Sequence, residues 1–146
     1  MSETLVIRLG AGNAELAEWV VVDETGACTL APAAGPVAGA AALTAGRRTV
    51  CLLPATRVLR TRADVPVRNQ NRIALALPFA LEDLLAEDID ELHFASGTRH
   101  ADGRISVAVI RRTHMDESLA LLARAGLAPH AIYADSDGVA DLAGTT

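Results

Sequence analysis

Six carboxylates fall within ten residues, at Glu82, Asp83, Glu87, Asp88, Asp90 and Glu91. Paired acids can do acid/base work, but only where burial or a neighbouring charge drives their pKa values apart. This run is rich in charge and poor in the apolar residues that would bury it, so it reads as a solvated face or a surface for a basic partner. Glu82, Asp83, Glu87 and Asp88 are the candidate partner-binding residues, with Asp83 and Glu87 four apart and so neighbours on a helix face.

The remaining chemically competent side chains do not converge. His93, His100, His114 and His130 fall on separate elements at irregular spacing, which is not a metal-ligand pattern. Ser96 follows His93 by three residues, and on a strand the two would face opposite sides, so no nucleophile and base pair results. Cys28 and Cys51 lack metal-ligand spacing and read as buried, reduced thiols. Gly10-Ala11-Gly12 follows an apolar strand, but the third glycine position of a dinucleotide fingerprint is Glu15 and the following stretch is too short for the required helix; a glycine-containing hairpin loop fits better. Asp135-Ser136-Asp137-Gly138 imitates the start of a calcium loop without its later ligands. Arg57, Arg60 and Arg62 form a basic face on an extended segment, a rival partner surface or the ordinary charged edge of a sheet. No catalytic, cofactor-binding or metal-binding residue is assigned.

The elements that must position the acidic run are legible from periodicity. A helix begins near Asn69 or Asn71 as N-cap, with Ile73, Leu77, Leu81, Leu84 and Leu85 as one apolar stripe facing a sheet. Pro78 inside that stripe predicts a kink or a restart. Before it, Leu5–Leu9 and Trp19–Asp23 read as strands, Thr25-Gly26-Ala27 as a turn into a short third strand ending near Leu30, and Ala31–Gly46 as one short helix opening at Pro36. Thr49–Leu53 is a continuous apolar strand of the fully buried kind. After the acidic run, Leu92–Ser96 and Ile105–Ile110 form a hairpin through Asp102-Gly103. Thr113 or Asp116 caps a third helix carrying Leu119, Leu122, Ala123 and Leu127, Gly126 ends it, and Ala131–Tyr133 is a last strand, followed by a short turn capped by Asp135 and Asp137. The order is three strands, helix, two strands, helix, two strands, helix, strand: an α/β (mixed α+β) domain with a mixed sheet and flanking helices.

Composition sets further bounds. At 146 residues and 15.2 kDa the chain reads as a single domain, residues 1–146, able to bury a core without disulfides or metal. With 51% hydrophobic but 3% aromatic residues, that core must be built from Ala, Val, Leu and Ile. A net charge of −5 argues against nucleic acid. All 13 bases are arginine, so no Walker A lysine and no Schiff-base lysine can exist. The N-terminus lacks the basic start and apolar core of a signal peptide, and no run approaches a membrane span, so this stretch reads as soluble and cytosolic.

The block Leu52–Ala95 resembles the cytoplasmic part of the type II secretion system protein L (general secretion pathway protein L) family. The likeness is carried by Leu53-Pro54, Val65-Pro66, Leu77-Pro78-Phe79-Ala80-Leu81-Glu82-Asp83 and Asp90-Glu91-Leu92-His93-Phe94-Ala95, with Leu122–Pro129 matching a later helix and turn. It runs from about Leu5 to Asp135 and is tightest from Leu52 to Phe94. The resemblance implies part of an actin-like (ribonuclease H-like) fold. In actin-like ATPases the turn after the first strand holds an acidic residue against magnesium and phosphate; here it reads Arg8-Leu9-Gly10-Ala11-Gly12-Asn13, without a carboxylate until Glu15. Together with the missing lysine, this implies a pseudo-ATPase scaffold, with no cofactor, rather than an enzyme. The resemblance further implies recruitment of the cytoplasmic secretion ATPase through that enzyme's N-terminal domain, and assembly with the companion inner-membrane protein M. It leaves a homodimer open. It places the chain on the cytoplasmic side of the bacterial inner membrane, as a fragment without the family's membrane helix and periplasmic domain. An actin-like nucleotide-binding ATPase module and a type IV pilus assembly component are the alternatives.

Overall fold

The computed structural model describes residues 2–10 and 16–135. The turn residues Ala11 to Glu15, Asp137 and the end of the calcium-like motif therefore lie outside the described residues. The chain divides into two compact units, Met1–Thr56 with Glu117–Thr146, and Arg57–Asp116.

The first unit is built on a five-stranded mixed sheet. Its strands are β1 (Thr4–Leu9), β2 (Leu16–Val22), β3 (Cys28–Pro36), β4 (Arg48–Leu53) and, late in the chain, β8 (Ala131–Ala134), in the order β3-β2-β1-β4-β8. β1 runs antiparallel to β2, with Ile7 opposite Trp19, and parallel to β4, which is itself parallel to β8. Alternation puts Val6, Val22, Val50 and Leu52 together in one cluster, while Leu5, Ile7, Val21 and Cys51 are fully buried elsewhere along the same strands. Central strands β1 and β4 thus bury both sides, which accounts for the continuous apolar run Thr49–Leu53.

Strand β3 extends six residues beyond the expected end at Leu30, to Pro36. Two prolines within a strand are tolerated because β3 is an edge, where the missing N–H is not needed by a neighbour. Its exposure also corrects the reading of Cys28 as a buried thiol: Cys28 is exposed, while Cys51 is buried. The helix expected after Pro36 is a 3₁₀ helix, Val37–Leu43, and it approaches the sheet closely enough that a Cβ on Gly39 would stand 3.0 Å from Trp19 Cη2.

The second unit is a three-stranded antiparallel sheet, β5 (Val58–Ala63), β6 (Leu92–Arg99) and β7 (Ile105–Arg111), in the order β5-β7-β6. Helix α1 (Gln70–Leu81) supplies Ile73, Leu77 and Leu81 to a core completed by Ala63, Val65, Leu92, Ile105, Val107 and Val109. Asn69 is the N-cap, its Oδ1 accepting from the N–H groups of Asn71 and Arg72 at 2.9 and 3.3 Å, which leaves Asn71 inside the helix. The predicted restart at Pro78 does not occur, since α1 is continuous through it. The carbonyl deprived of a donor belongs to Ala74, an exposed residue that water can reach.

A second correction concerns the end of the stripe. α1 passes into a 3₁₀ turn, Glu82–Leu84, so the helical spacing is lost: Leu84 is exposed and Leu85 only half-buried. Helix α2 (Arg112–Arg124) likewise departs from expectation. It begins directly after β7 rather than at a cap on Thr113 or Asp116, and buries Leu121 and Leu122 while Leu119 and Ala123 are exposed. Its end follows the predicted form: Gly126 adopts φ 79°, and Leu127 N–H donates to Leu122 C=O at 2.8 Å.

Candidate functional site

The acidic run occupies the end of α1 and the turns leading to β6. Glu82 and Asp83 form the first two residues of the 3₁₀ turn and are exposed. Among the described residues neither they nor Asp88 has an ion-pair partner. Asp88 sits exposed at the N-cap position of a one-turn 3₁₀ helix (Ile89–Glu91) without a side-chain capping bond. Glu87 behaves differently. The loss of helical geometry after Leu81 removes it from the face of Asp83, and its carboxylate accepts from Arg111 Nε through both oxygens, at 3.0 and 2.9 Å. Three unneutralised carboxylates and one neutralised one therefore stand where four were expected.

The acids have apolar neighbours that the periodicity argument missed. Leu75 (74% exposed), Phe79 (71%) and Leu84 (72%) are the three most exposed large hydrophobic side chains among the described residues, and all lie within ten residues of one another. Their signal was present: Leu75 and Phe79 are four apart and fall off the Ile73-Leu77-Leu81 stripe, so α1 is apolar on two faces and only one is used inside the unit. Such a face with acids at its end suits a partner that brings apolar side chains and basic charge.

Of the rival basic face, Arg60 and Arg62 lie on β5, an edge strand as expected, and Arg57 ends the 3₁₀ turn Ala55–Arg57 just before it. Arg62 is 3.8 Å from Asp102, the residue of the β6–β7 turn whose carboxylate accepts from Arg104 N–H. Arg99 was not singled out in the sequence. Its guanidinium donates to the carbonyls of Val65, Val67 and Gly103 at 3.3, 2.6 and 2.7 Å, tying the segment that leads into α1 to the hairpin and so fixing where α1 starts.

In the first unit a cleft of about 670 Å³ opens at the carboxyl ends of the parallel strands β1, β4 and β8. Arg8, Gly10, Glu18, Gly35, Ala55 and Asp135 line it. Asp135, expected only as a cap, accepts from Ala55 N–H at 3.2 Å. This is the position at which open α/β sheets take ligands. It was not legible in sequence because β8 meets β4 across some eighty intervening residues.

Two of the histidines serve separate structural ends, while His114 keeps a buried Nδ1 without a hydrogen-bond partner among the described residues. His130 Nδ1 accepts from Thr49 N–H at 3.0 Å, prolonging the β4–β8 pairing, and His100 pairs with Ser106 across the hairpin. His93 and Ser96 are both exposed on β6 without contact to one another. No group of three metal-ligating side chains gathers among the described residues, and no helix among them is long and apolar enough to cross a membrane.

Comparison with known proteins agrees with the architecture. The cytoplasmic domain of EpsL, an inner membrane component of the type II secretion system of Vibrio cholerae, superposes with a TM-score of 0.73 at 22% identity, covering 92% of this chain and 58% of that one. A chain of the PilM–PilN type IV pilus biogenesis complex matches with a TM-score of 0.69 at 21% identity, covering 94% of this chain and 49% of that one. Both bear out the mixed α/β fold with its mixed sheet. In sequence, type II secretion system protein L of Pseudomonas aeruginosa is 36% identical over 125 residues, 86% of this chain and 31% of its own length. Protein L of Dickeya chrysanthemi is 29% identical over 116 residues, 77% of this chain and 29% of its own length. The chain thus spans about a third of the length of these relatives. The family model for type II secretion system (T2SS), protein L, matches residues 5–140, and the chain belongs to that family.

Proposed function

We propose that this chain is a non-enzymatic scaffold on the cytoplasmic side of the type II secretion inner-membrane platform, where it recruits the cytoplasmic secretion ATPase and couples it to secretion. The observation that carries the reading is the exposed, unneutralised pair Glu82 and Asp83 beside the bare apolar face of α1. Asp88 extends that surface, and Glu87 braces it through Arg111. The N-terminal domain of the ATPase is the proposed occupant, and the companion inner-membrane protein M of the same system the proposed neighbour. The presence of a structural neighbour within a PilM–PilN complex supports assembly of this kind of domain with a second protein.

The test is isothermal titration of this chain against the N-terminal domain of the secretion ATPase at low and high salt. Saturable binding that weakens when Glu82 and Asp83 are both reversed to arginine, and weakens far more at low salt than at high salt, supports the assignment. Unchanged affinity under both conditions removes it.

A second reading, nucleotide binding, is favoured by one observation: the cleft at the carboxyl ends of β1, β4 and β8 places Asp135 and Arg8 around its mouth. Against it, the Asp135 carboxylate is already engaged by Ala55 N–H. ATP with magnesium at about 100 times its dissociation constant would add about 2.7 kcal/mol of stability, a rise in melting temperature that differential scanning fluorimetry registers readily. No rise retires the reading.

A further inference from the structure

Four strand edges are open among the described residues: β3 and β8 flank the first sheet, β5 and β6 the second. An open edge is a row of unpaired backbone N–H and C=O groups, and native proteins blunt it. Three of the four are blunted here. β3 carries Pro32 and Pro36 and two register shifts against β2. β6 is broken by a register shift between Ser96 and Arg99. β8 has only four residues. β5 has none of these devices: every residue from Val58 to Ala63 pairs with β7 in unbroken register, and the strand contains neither proline nor glycine.

The side chains of β5 define what a strand laid on that edge has to bring. Leu59 stands opposite Val109 and so shares the face that α1 covers, yet it is 50% exposed, because the core stops short of the edge. Arg60 and Arg62 stand opposite Ala108 and Ser106 on the other face, and both are exposed. The pairing of Arg62 with Asp102, at 3.8 Å between half-exposed side chains, is of the weak, readily exchanged kind. A strand added beside β5 distributes its own residues alternately over the same two faces. Carboxylates two apart then meet Arg60 and Arg62, and the apolar residue next to them covers Leu59. A second β5 does not fit: any register that keeps leucine on the leucine face sets arginine opposite or diagonal to arginine.

We propose that the open edge of β5 is a docking site for an extended segment of a partner protein, alternating carboxylate and apolar residues, which adds to the second unit's sheet as a fourth strand. Main-chain hydrogen bonds supply the affinity, and Leu59, Arg60 and Arg62 supply the selection. The contact is well below ~1,200 Å², so an isolated peptide binds weakly, with a dissociation constant on the order of 100 µM at low salt. The site uses none of Glu82, Asp83 and Asp88. It goes beyond ATPase recruitment and gives the second unit two docking surfaces of opposite charge.

The probe is a fluorescein-labelled, end-blocked peptide, Thr-Glu-Val-Glu-Val-Glu-Thr, titrated with this chain to about 1 mM and read by fluorescence anisotropy. Saturable binding that weakens with salt is expected, with none for the same peptide carrying arginine in place of glutamate. No binding at the top of the range overturns the proposal. Two further peptides keep every charge and are N-methylated either on the valines or on the glutamates. Successive N–H groups of a strand point to opposite sides, so one of the two should lose binding and the other keep it. Retention by both means that charge alone holds the peptide, and overturns strand addition. Arg62→Glu and Leu59→Thr should each weaken binding about fivefold, the upper range for one cross-strand pair. Arg60→Glu with Arg62→Glu should reverse the preference to the arginine peptide. On binding, alternate amides of β5 should exchange more slowly while those of β6 and β3 do not change; slowing at β6 or β3 instead overturns the placement. The double reversal of Glu82 and Asp83 should leave peptide binding in place, so this site and the recruitment reading fail separately.

Discussion

Cys28 and Cys51 show how much a residue's chemistry depends on which strand carries it. Cys51 lies on the central strand β4, and burial pushes its thiol up to about 12 from an ordinary 9.0. Cys28 sits at the start of the exposed edge strand β3. A thiol reagent at neutral pH should therefore modify Cys28 within minutes and leave Cys51 untouched until denaturant is added, and mass spectrometry after alkylation counts one adduct in the native protein and two in the unfolded one. The same burial gives a sign for alkaline behaviour. The unfolded thiol ionises near 9.0 and the folded one near 12, so stability from this group is intact below pH 9 and drains away as pH rises toward 12. At the acid end the direction reverses. Glu3 is held below its ordinary 4.5 by the hydroxyl of Thr29 and by Arg47, Asp23 below 3.8 by the hydroxyl and N–H of Thr25, and Asp102 below 3.8 by the N–H of Arg104. Each contributes stability at pH values above its unfolded pKa and loses it as pH falls through the folded one. A melting series from pH 6 down to about 2.5 should fall below about pH 4.5, and Asp23→Asn should flatten part of that fall.

At the scale of the element, α1 carries both the most legible and the least legible features of the fold. Asn69 as N-cap could be read directly, and replacing it with alanine leaves the N–H groups of Asn71 and Arg72 without their acceptor. A loss of about 1 kcal/mol is expected in urea titration. Pro78→Ala should act in the opposite direction: the helix already runs through Pro78, so restoring a donor toward the Ala74 carbonyl should raise stability by about 1 kcal/mol or more. What periodicity did not reveal was the helix's end. The 3.6-residue period continues on paper through Leu84 and Leu85, whereas the backbone tightens at Glu82, and a change of helix type leaves no mark in the apolar pattern. The same gap hid the partner of Glu87, because Arg111 becomes its neighbour only when β6 and β7 pair. Strand β3 was cut short for a related reason: Ala, Pro and Gly carry no period-two signal, and an exposed edge strand has none to give. By contrast, the Asp102-Gly103 turn, the buried strand β4 and the Gly126 stop each rest on a local backbone or burial requirement, and all three are found as read.

At the scale of the molecule, the order of elements has a consequence for folding. The second unit is one uninterrupted stretch, Arg57–Asp116, whereas the first is assembled from two separated stretches. In the first, β8 must return to pair with β4, and the His130–Thr49 and Asp135–Ala55 hydrogen bonds close that return. The second contains its own sheet, its own helix, the Arg99 clamp and a core of nine buried apolar residues drawn entirely from within it. The stretch Arg57–Asp116, expressed alone, is therefore expected to fold, while the stretch before it is not, since β4 would lack a neighbour on one side. Small size makes the isolated unit marginal: about 60 residues bury only about 60% of their surface. A cooperative thermal transition by circular dichroism, at a temperature well below that of the whole chain, is the expected result. Arg99→Ala in this fragment should abolish the transition, because the carbonyls of Val65 and Val67 lose their donor and α1 is no longer tied at its entry to the hairpin. A fragment that is unfolded with Arg99 intact would mean that the nine-residue core does not suffice without the first unit.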